Sequence, residues 1–287
     1  MADAMAGLHT ASDEIVSPGT QPSPSSAATA PTPLTLEIAW TALRRGRQPV
    51  LAPGRLALPL GAAVGLVGVN GAGKSTLFMA LAGVLAGSCG RATATHHGVD
   101  VATVGYVPQR PALAPWLSVR GALSLQGVDA SSRLAASPVA PFLTPLLDRR
   151  ADSLSGGQLQ LAAVAATLAR QDPLVLLDEP FAGIDIRHRS ALMASVSDHR
   201  RQNPRSVIIL ASHLVGDLNA ICDWLVVLVD GAVVFAGPRH ELPRTTGQSR
   251  MDGAAGGDAI VADDAVLLES QLAALLVGCN PMAADLD

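Results

Sequence analysis

Two periodicities alternate along the chain. "LTLEIAW" (34–40) alternates apolar and polar residues, the pattern of a strand with one buried face. "AAVGLVGV" (62–69), "LVLLDEP" (174–180) and "SVIILASH" (206–213) are instead short apolar runs ending in glycine or polar residues, which reads as strands buried on both sides. "VATVGYVPQ" (101–109) is a further strand candidate. Between these runs the period becomes helical. "STLFMALAGVLAG" (75–87) predicts a helix stopping at Gly87, and "LSGGQLQLAAVAATLARQDP" (154–173) a glycine turn followed by a helix ending before Pro173. "RHRSALMASVSDHRRQ" (187–202) is a third helix, and "WLVVLVDGAVVFAG" (224–237) a hairpin turning at Asp-Gly. Alternating strands and helices imply an α/β fold with a mostly parallel sheet and helices on its faces.

Composition marks the edges of this pattern. Residues 1–33 include "SPGTQPSPSSAATAPTP" and read as a disordered Pro/Ser/Ala-rich tail. An ordered domain is expected over 34–244, with a small Pro-, Ala-, Leu- and Arg-rich helical insert at about 110–153. Residues 245–260 form a Gly-rich linker, and "VADDAVLLESQLAALLV" (261–277) one last helix starting near Asp263 or Asp264. The whole 245–287 segment is acidic, with seven acids against one arginine. The middle carries nineteen basic against fourteen acidic residues, a mild excess that suits a polyphosphate and is too weak to argue for nucleic acid, so none is expected as a partner. No apolar stretch reaches the ~20 residues that cross a bilayer, and the start lacks the pattern of a signal peptide. Cys89, Cys222 and Cys279 are far apart, without metal or disulfide spacing. These features together predict a cytosolic protein.

The chain holds one lysine, Lys74, among twenty basic residues. It stands in "GVNGAGKST" (68–76), which fits G-x-x-x-x-G-K-[ST] between a predicted strand and a predicted helix, as a phosphate-binding loop (Walker A) requires. Gly68, Asn70, Gly71, Ala72, Gly73, Lys74, Ser75 and Thr76 are therefore the candidate phosphate cradle, built on backbone N–H groups at a helix start. A lysine ammonium is a compact point charge that reaches the β and γ phosphates, whereas a guanidinium is a broad planar fork. Ser75 is expected to ligate Mg²⁺ through its hydroxyl. "LVLLDEP" ends a buried strand in two acids, Asp178 to hold Mg²⁺ and Glu179 to act as general base on the attacking water.

With "LSGGQ" (154–158) the sequence resembles the ATP-binding cassette family. The likeness spans about 36–242, with "GVNGAGKST", "YVPQ", "LSGGQ", "LVLLDEP", "FAGID" and "ASH" in that family's order. The resemblance implies an ATPase with a P-loop core, an antiparallel β subdomain and a small helical subdomain. It also implies ATP and Mg²⁺ as cofactors, and a dimer that sandwiches nucleotide. Gln109 resembles the glutamine that senses Mg²⁺ and the γ-phosphate. Ser155, Gly156 and Gly157 resemble the signature that contacts nucleotide on a second copy or a homologous ATPase subunit, Asp185 the aspartate that crosses the dimer interface, and His213 the switch histidine at the γ-phosphate. The implied partners are separate membrane permease subunits, which would hold the chain at the inner face of the cell membrane.

Three features depart from that family. No aromatic lies in "TALRRGRQPV" (41–50) to stack on adenine; Trp40 is slightly too far upstream, leaving Arg44 or Arg45 for that role. Leu159, Gln160 and Leu161 follow the signature in place of basic residues, and the insert is short and carries several prolines. "ASHLVGDLNAICDWLVVLVDGAVVFAGP" resembles most the subunits that pair with drug or antibiotic exporters, while "YVPQRP" and "CDWLVVL" are similar to metal importers; export is the expectation. The other readings are a soluble non-transport ATPase of the same family and a nucleotide-dependent regulatory module of low turnover.

Overall fold

The computed structural model describes residues 34–129, 133–243 and 264–278. The expected tail (1–33), the linker (245–260) and Cys279 lie outside the described residues. Among the described residues twelve strands run in chain order: β1 (Thr35–Trp40), β2 (Leu43–Arg45), β3 (Gln48–Leu51), β4 (Gly54–Pro59), β5 (Ala63–Gly68), β6 (Ala92–His96), β7 (Val99–Asp100), β8 (Val104–Val107), β9 (Leu174–Asp178), β10 (Val207–Ala211), β11 (Trp224–Val229) and β12 (Ala232–Pro238). The α-helices are α1 (Lys74–Leu81), α2 (Val119–Leu125), α3 (Ala140–Leu143), α4 (Gly156–Arg170), α5 (Ile186–Gln202), α6 (Val215–Ile221) and α7 (Asp264–Gly278).

The central sheet has the order β12-β11-β5-β10-β9-β8. Every neighbouring pair in it is parallel except the β11–β12 hairpin. Its apolar runs are explained by burial on two faces. Ala63, Val67, Val175, Leu177, Ile208 and Leu210 pack into one core with α4, α5 and α6. Their alternates Val64, Leu66, Leu174, Leu176, Ile209 and Ala211 pack into the other, beneath α1 and the antiparallel sheet. That second sheet, β4-β1-β6-β7, contains "LTLEIAW" as β1 with its alternating burial. The described residues of 110–153 hold α2, α3 and short 3₁₀ turns, and an isolated bridge joins Ser118 to Arg150.

The helix begun in the glycine loop is shorter than its periodicity predicts. Gly83 (φ 70), not Gly87, ends α1. The N–H of Gly83 donates to Ala80 O (3.2 Å) and that of Val84 to Met79 O (2.9 Å), a Schellman closure that uses the left-handed glycine. The apolar residues after it continue the period in sequence only. At the far end of the chain, α7 covers the expected last helix, and its Leu268 and Leu272 are buried in the first core.

Candidate functional site

The site gathers where the parallel strands end. β5 runs out at Gly68, β9 at Asp178, β10 at Ala211 and β8 at Val107, so Lys74, Glu179, His213 and Gln109 all follow the carboxyl ends of adjacent strands. This edge is where open α/β sheets take ligands. A cleft of about 590 Å³ lies there. Asn70, Gly71, Ala72, Gly73, Lys74, Ser75, Thr76, Gln109, Asp178 and Glu179 line it, joined by Arg45, Gln48, Pro49, Val50, Asp230 and Gly231.

Local sequence explains the loop's shape. Gly71 (φ 89) and Gly73 (φ 104) adopt the left-handed region, and a Cβ on Gly73 would lie 2.6 Å from the Leu51 side chain. The Lys74 ammonium curls over the loop and donates to Gly68 O (2.6 Å) and Val69 O (3.2 Å). Burial lowers its pKa, while Glu179 and Asp178 pull it back up. Burial pushes the Asp178 carboxyl upward; a hydrogen bond from the Ser75 hydroxyl and the charge of Lys74 oppose that shift. Burial and Asp178 together raise the nearby Tyr106 phenol to about 12.

Glu179 leaves β9 with φ 51, a left-handed conformation that costs a non-glycine residue about 1–3 kcal/mol. Its N–H is fixed to Ala211 O (2.8 Å), and its own carbonyl accepts from Ala182 (3.1 Å). The turn brings its carboxylate, 9% exposed as a residue, to His213: Oε2 lies 2.8 Å from Nδ1. Strand pairing sets this contact, since Asp178 sits opposite Ala211 in the β9–β10 register. Each motif is visible in the sequence, but their contact follows only from which strands are neighbours.

Ser155, Gly156, Gly157 and Asp185 do not line the cleft; nor do Gly68 and His213, although His213 meets the lining residue Glu179. Ser155 caps α4 in a capping box, its hydroxyl accepting from Gln158 N (3.3 Å) while Gln158 Oε1 accepts from Ser155 N (3.1 Å). Gly156 faces open space, and Gly157 approaches the Gly183 carbonyl closely. Asp185 caps α5, accepting from Arg187 N and His188 N at 3.1 Å each, and pairs with the His188 ring. Of the residues that depart from the family pattern, Gln160 and Leu161 point into the protein at 3% and 0% exposure. Trp40 is a core residue packed against Gly54, with its indole N–H on Ala52 O (2.7 Å). None of the chain's Phe, Trp or Tyr residues lines the cleft, and of the two candidate arginines Arg45 lines it. The hairpin residues Gln48, Pro49 and Val50 and the turn Asp230–Gly231 were not foreseen there. The DG dipeptide signals its turn but not what the turn faces.

Residues 51–182 match the family described as ABC transporter. The hemin import ATP-binding protein HmuV of Bordetella pertussis is 32% identical over 231 residues, which cover 71% of this chain and 87% of that protein. The chain belongs to the ATP-binding subunits of ABC transporters. It is an ATPase of that family, with ATP as its nucleotide. A second relative of this ATP-binding subunit is the chelated iron transport system membrane protein YfeB of Yersinia pestis, 33% identical over 190 residues. That match covers 60% of this chain and 63% of the relative, so the ATP-binding subunit spans just under two thirds of YfeB. A solved structure described as the ATP binding subunit of an ABC transporter shares the fold at a TM-score of 0.60 and 24% identity, covering 71% of this chain and 91% of its own. Among the described residues no helix is long and apolar enough to cross a membrane.

Proposed function

We propose that this subunit binds MgATP in the cleft above β5 and β9, hydrolyses it with Glu179 as general base, and drives transport through separate permease subunits. The convergence of Lys74, Gln109, Asp178, Glu179 and His213 at the ends of four parallel strands carries this reading. The loop from Gly68 to Thr76 wraps the phosphates, with Lys74 moving from loop carbonyls to phosphate oxygens. Glu179 accepts the proton of the attacking water, and the His213 ring, 2.8 Å away, orients that carboxylate. Ser75, Asp178 and Gln109, which line the same cleft, form a set of oxygen donors suited to Mg²⁺. When bound, Mg²⁺ neutralises charge on the β and γ phosphates.

Ser155, Gly156, Gly157 and Asp185 serve a second copy in this proposal. They lie outside their own chain's cleft, and Ser155 opens a helix whose first N–H groups suit an anion. Two copies in C2 symmetry each lend that helix start to the other's γ-phosphate. The relatives' names speak for import; export, the expectation from the region after "ASH", has no support among them. Sizing chromatography of Glu179→Gln tests the pairing. With MgATP it should elute as a dimer and without it as a monomer, and adding Ser155→Arg should abolish the dimer while leaving affinity intact. An elution unchanged by bound ATP would overturn the sandwich.

A further inference from the structure

Helix α6 is seven residues long and begins two residues after His213. A helix of two turns has little stability of its own, so tertiary contacts set its position. Arg189 of α5 pairs with Asp217, which is 2% exposed, on one side. On another side lies α7, the helix that the cassette motifs do not need. Its Leu268 and Leu272 are 4% and 2% exposed and share one apolar cluster with Leu218 and Ile221 of α6; Leu275 and Leu276 pack against the same cluster. These leucines recur at i, i+4, i+7 and i+8, a single helix face. Gln271, between them, is also buried at 9% exposure. The loop before α6 is short and tied down, with Leu214 N donating to Ser212 Oγ (3.1 Å) and Asp217 N to Leu214 O (3.1 Å). A shift of α6 therefore passes to His213, and from His213 to Glu179.

We propose that Leu268 and Leu272 of α7 are positioning residues for hydrolysis: by holding the apolar face of α6 they fix His213 against Glu179, without touching nucleotide. Residues 264–278 then set turnover in cis, at the end of the chain furthest in sequence from the phosphate loop. The idea rests on the roles given above to Glu179 and His213. It separates binding from turnover, because α7 acts on the base only through α6 and His213, and among the described residues none of α7 lines the cleft. A misplacement of about 1 Å at a reacting group costs on the order of 10²-fold in rate.

The test uses the full chain with Leu268→Ala, Leu272→Ala, the conservative Leu272→Met and the surface change Glu269→Gln. Fluorescent-nucleotide binding, steady-state ATPase and hydrogen exchange are measured on each. The two alanine variants should lose about tenfold or more in kcat with nucleotide affinity within about twofold of wild type, and exchange should quicken in α6 and residues 212–214 but not in the phosphate loop. Leu272→Met and Glu269→Gln should behave as wild type. An unchanged kcat despite faster exchange in α6 would overturn the proposal, as would affinity falling in step with kcat, which would mark α7 as a general stabiliser. Glu179→Gln in the same assay keeps the two ideas apart: if it hydrolyses at the wild-type rate, the assignment of the base fails, whatever the α7 variants do.

Discussion

Replacing Lys74 with arginine keeps the charge and changes only its shape. The ammonium sits half-buried over the loop, bonded to carbonyls at 2.6 and 3.2 Å, with Gly71 and Gly73 folded around it in left-handed conformations. That enclosure is strong enough for burial to outweigh the pull of two nearby carboxylates on its pKa. A planar guanidinium is wider than the ammonium and cannot swing from the same carbonyls to a phosphate oxygen without displacing the loop. Losing one hydrogen bond to a charged group costs about 1.5–3 kcal/mol. At about 1.4 kcal/mol per decade, that is a loss of roughly 10- to 150-fold in affinity. Calorimetric titration with MgATP at fixed ionic strength measures it, with thermal unfolding run alongside to show that Lys74→Arg is folded. A Kd within about twofold of wild type would refute the shape argument and reduce Lys74 to a generic positive charge.

Three further outcomes follow from individual contacts. Gly73→Ala should destabilise the protein in urea titration more than Gly71→Ala: both carry about 1–3 kcal/mol of left-handed strain, but only at Gly73 does a Cβ strike Leu51; equal losses would contradict the packing. Arg45→Ala should weaken ATP binding about two- to fivefold while leaving tripolyphosphate affinity unchanged, the scale of an exposed guanidinium–ring contact, and a parallel loss of both would place Arg45 on the phosphates instead. Buried His199 is bonded to Leu168 O (2.9 Å) and Ser206 Oγ (3.1 Å), and burial lowers its pKa. The unfolded chain therefore binds the extra proton first, and stability should fall as pH drops below about 6.5. His199→Gln should flatten that slope in thermal melts, and an unchanged slope would clear His199.

The strands of the central sheet were legible because each is buried on both faces and needs an unbroken apolar run, as in Leu174–Leu177 and Val207–Ala211. The shape of the glycine loop before α1 was legible for a similar reason: its glycines, lysine and serine are adjacent in the chain, so geometry and sequence coincide. The contact between Glu179 and His213 was not, since 34 residues separate them and only the register of Asp178 against Ala211 joins them. Apart from Arg45, the far wall of the cleft was hidden too, because Gln48, Pro49, Val50, Asp230 and Gly231 arrive from two hairpins with no phosphate chemistry of their own. Gly83 against Gly87 shows the limit of periodicity, which continues past the point where a Schellman closure ends the helix. The last helix was expected from its period, but its burial against α6 was not readable from the period alone.

The central claim is that Glu179 performs hydrolysis while the loop around Lys74 holds the nucleotide. It is tested most directly by measuring MgATP affinity and single-turnover hydrolysis on Glu179→Gln, a change that preserves size and removes the base. Affinity should stay within about twofold of wild type while the hydrolysis rate falls about 10²–10⁴-fold. Hydrolysis at the wild-type rate, or a loss of binding equal to the loss of rate, would contradict the account.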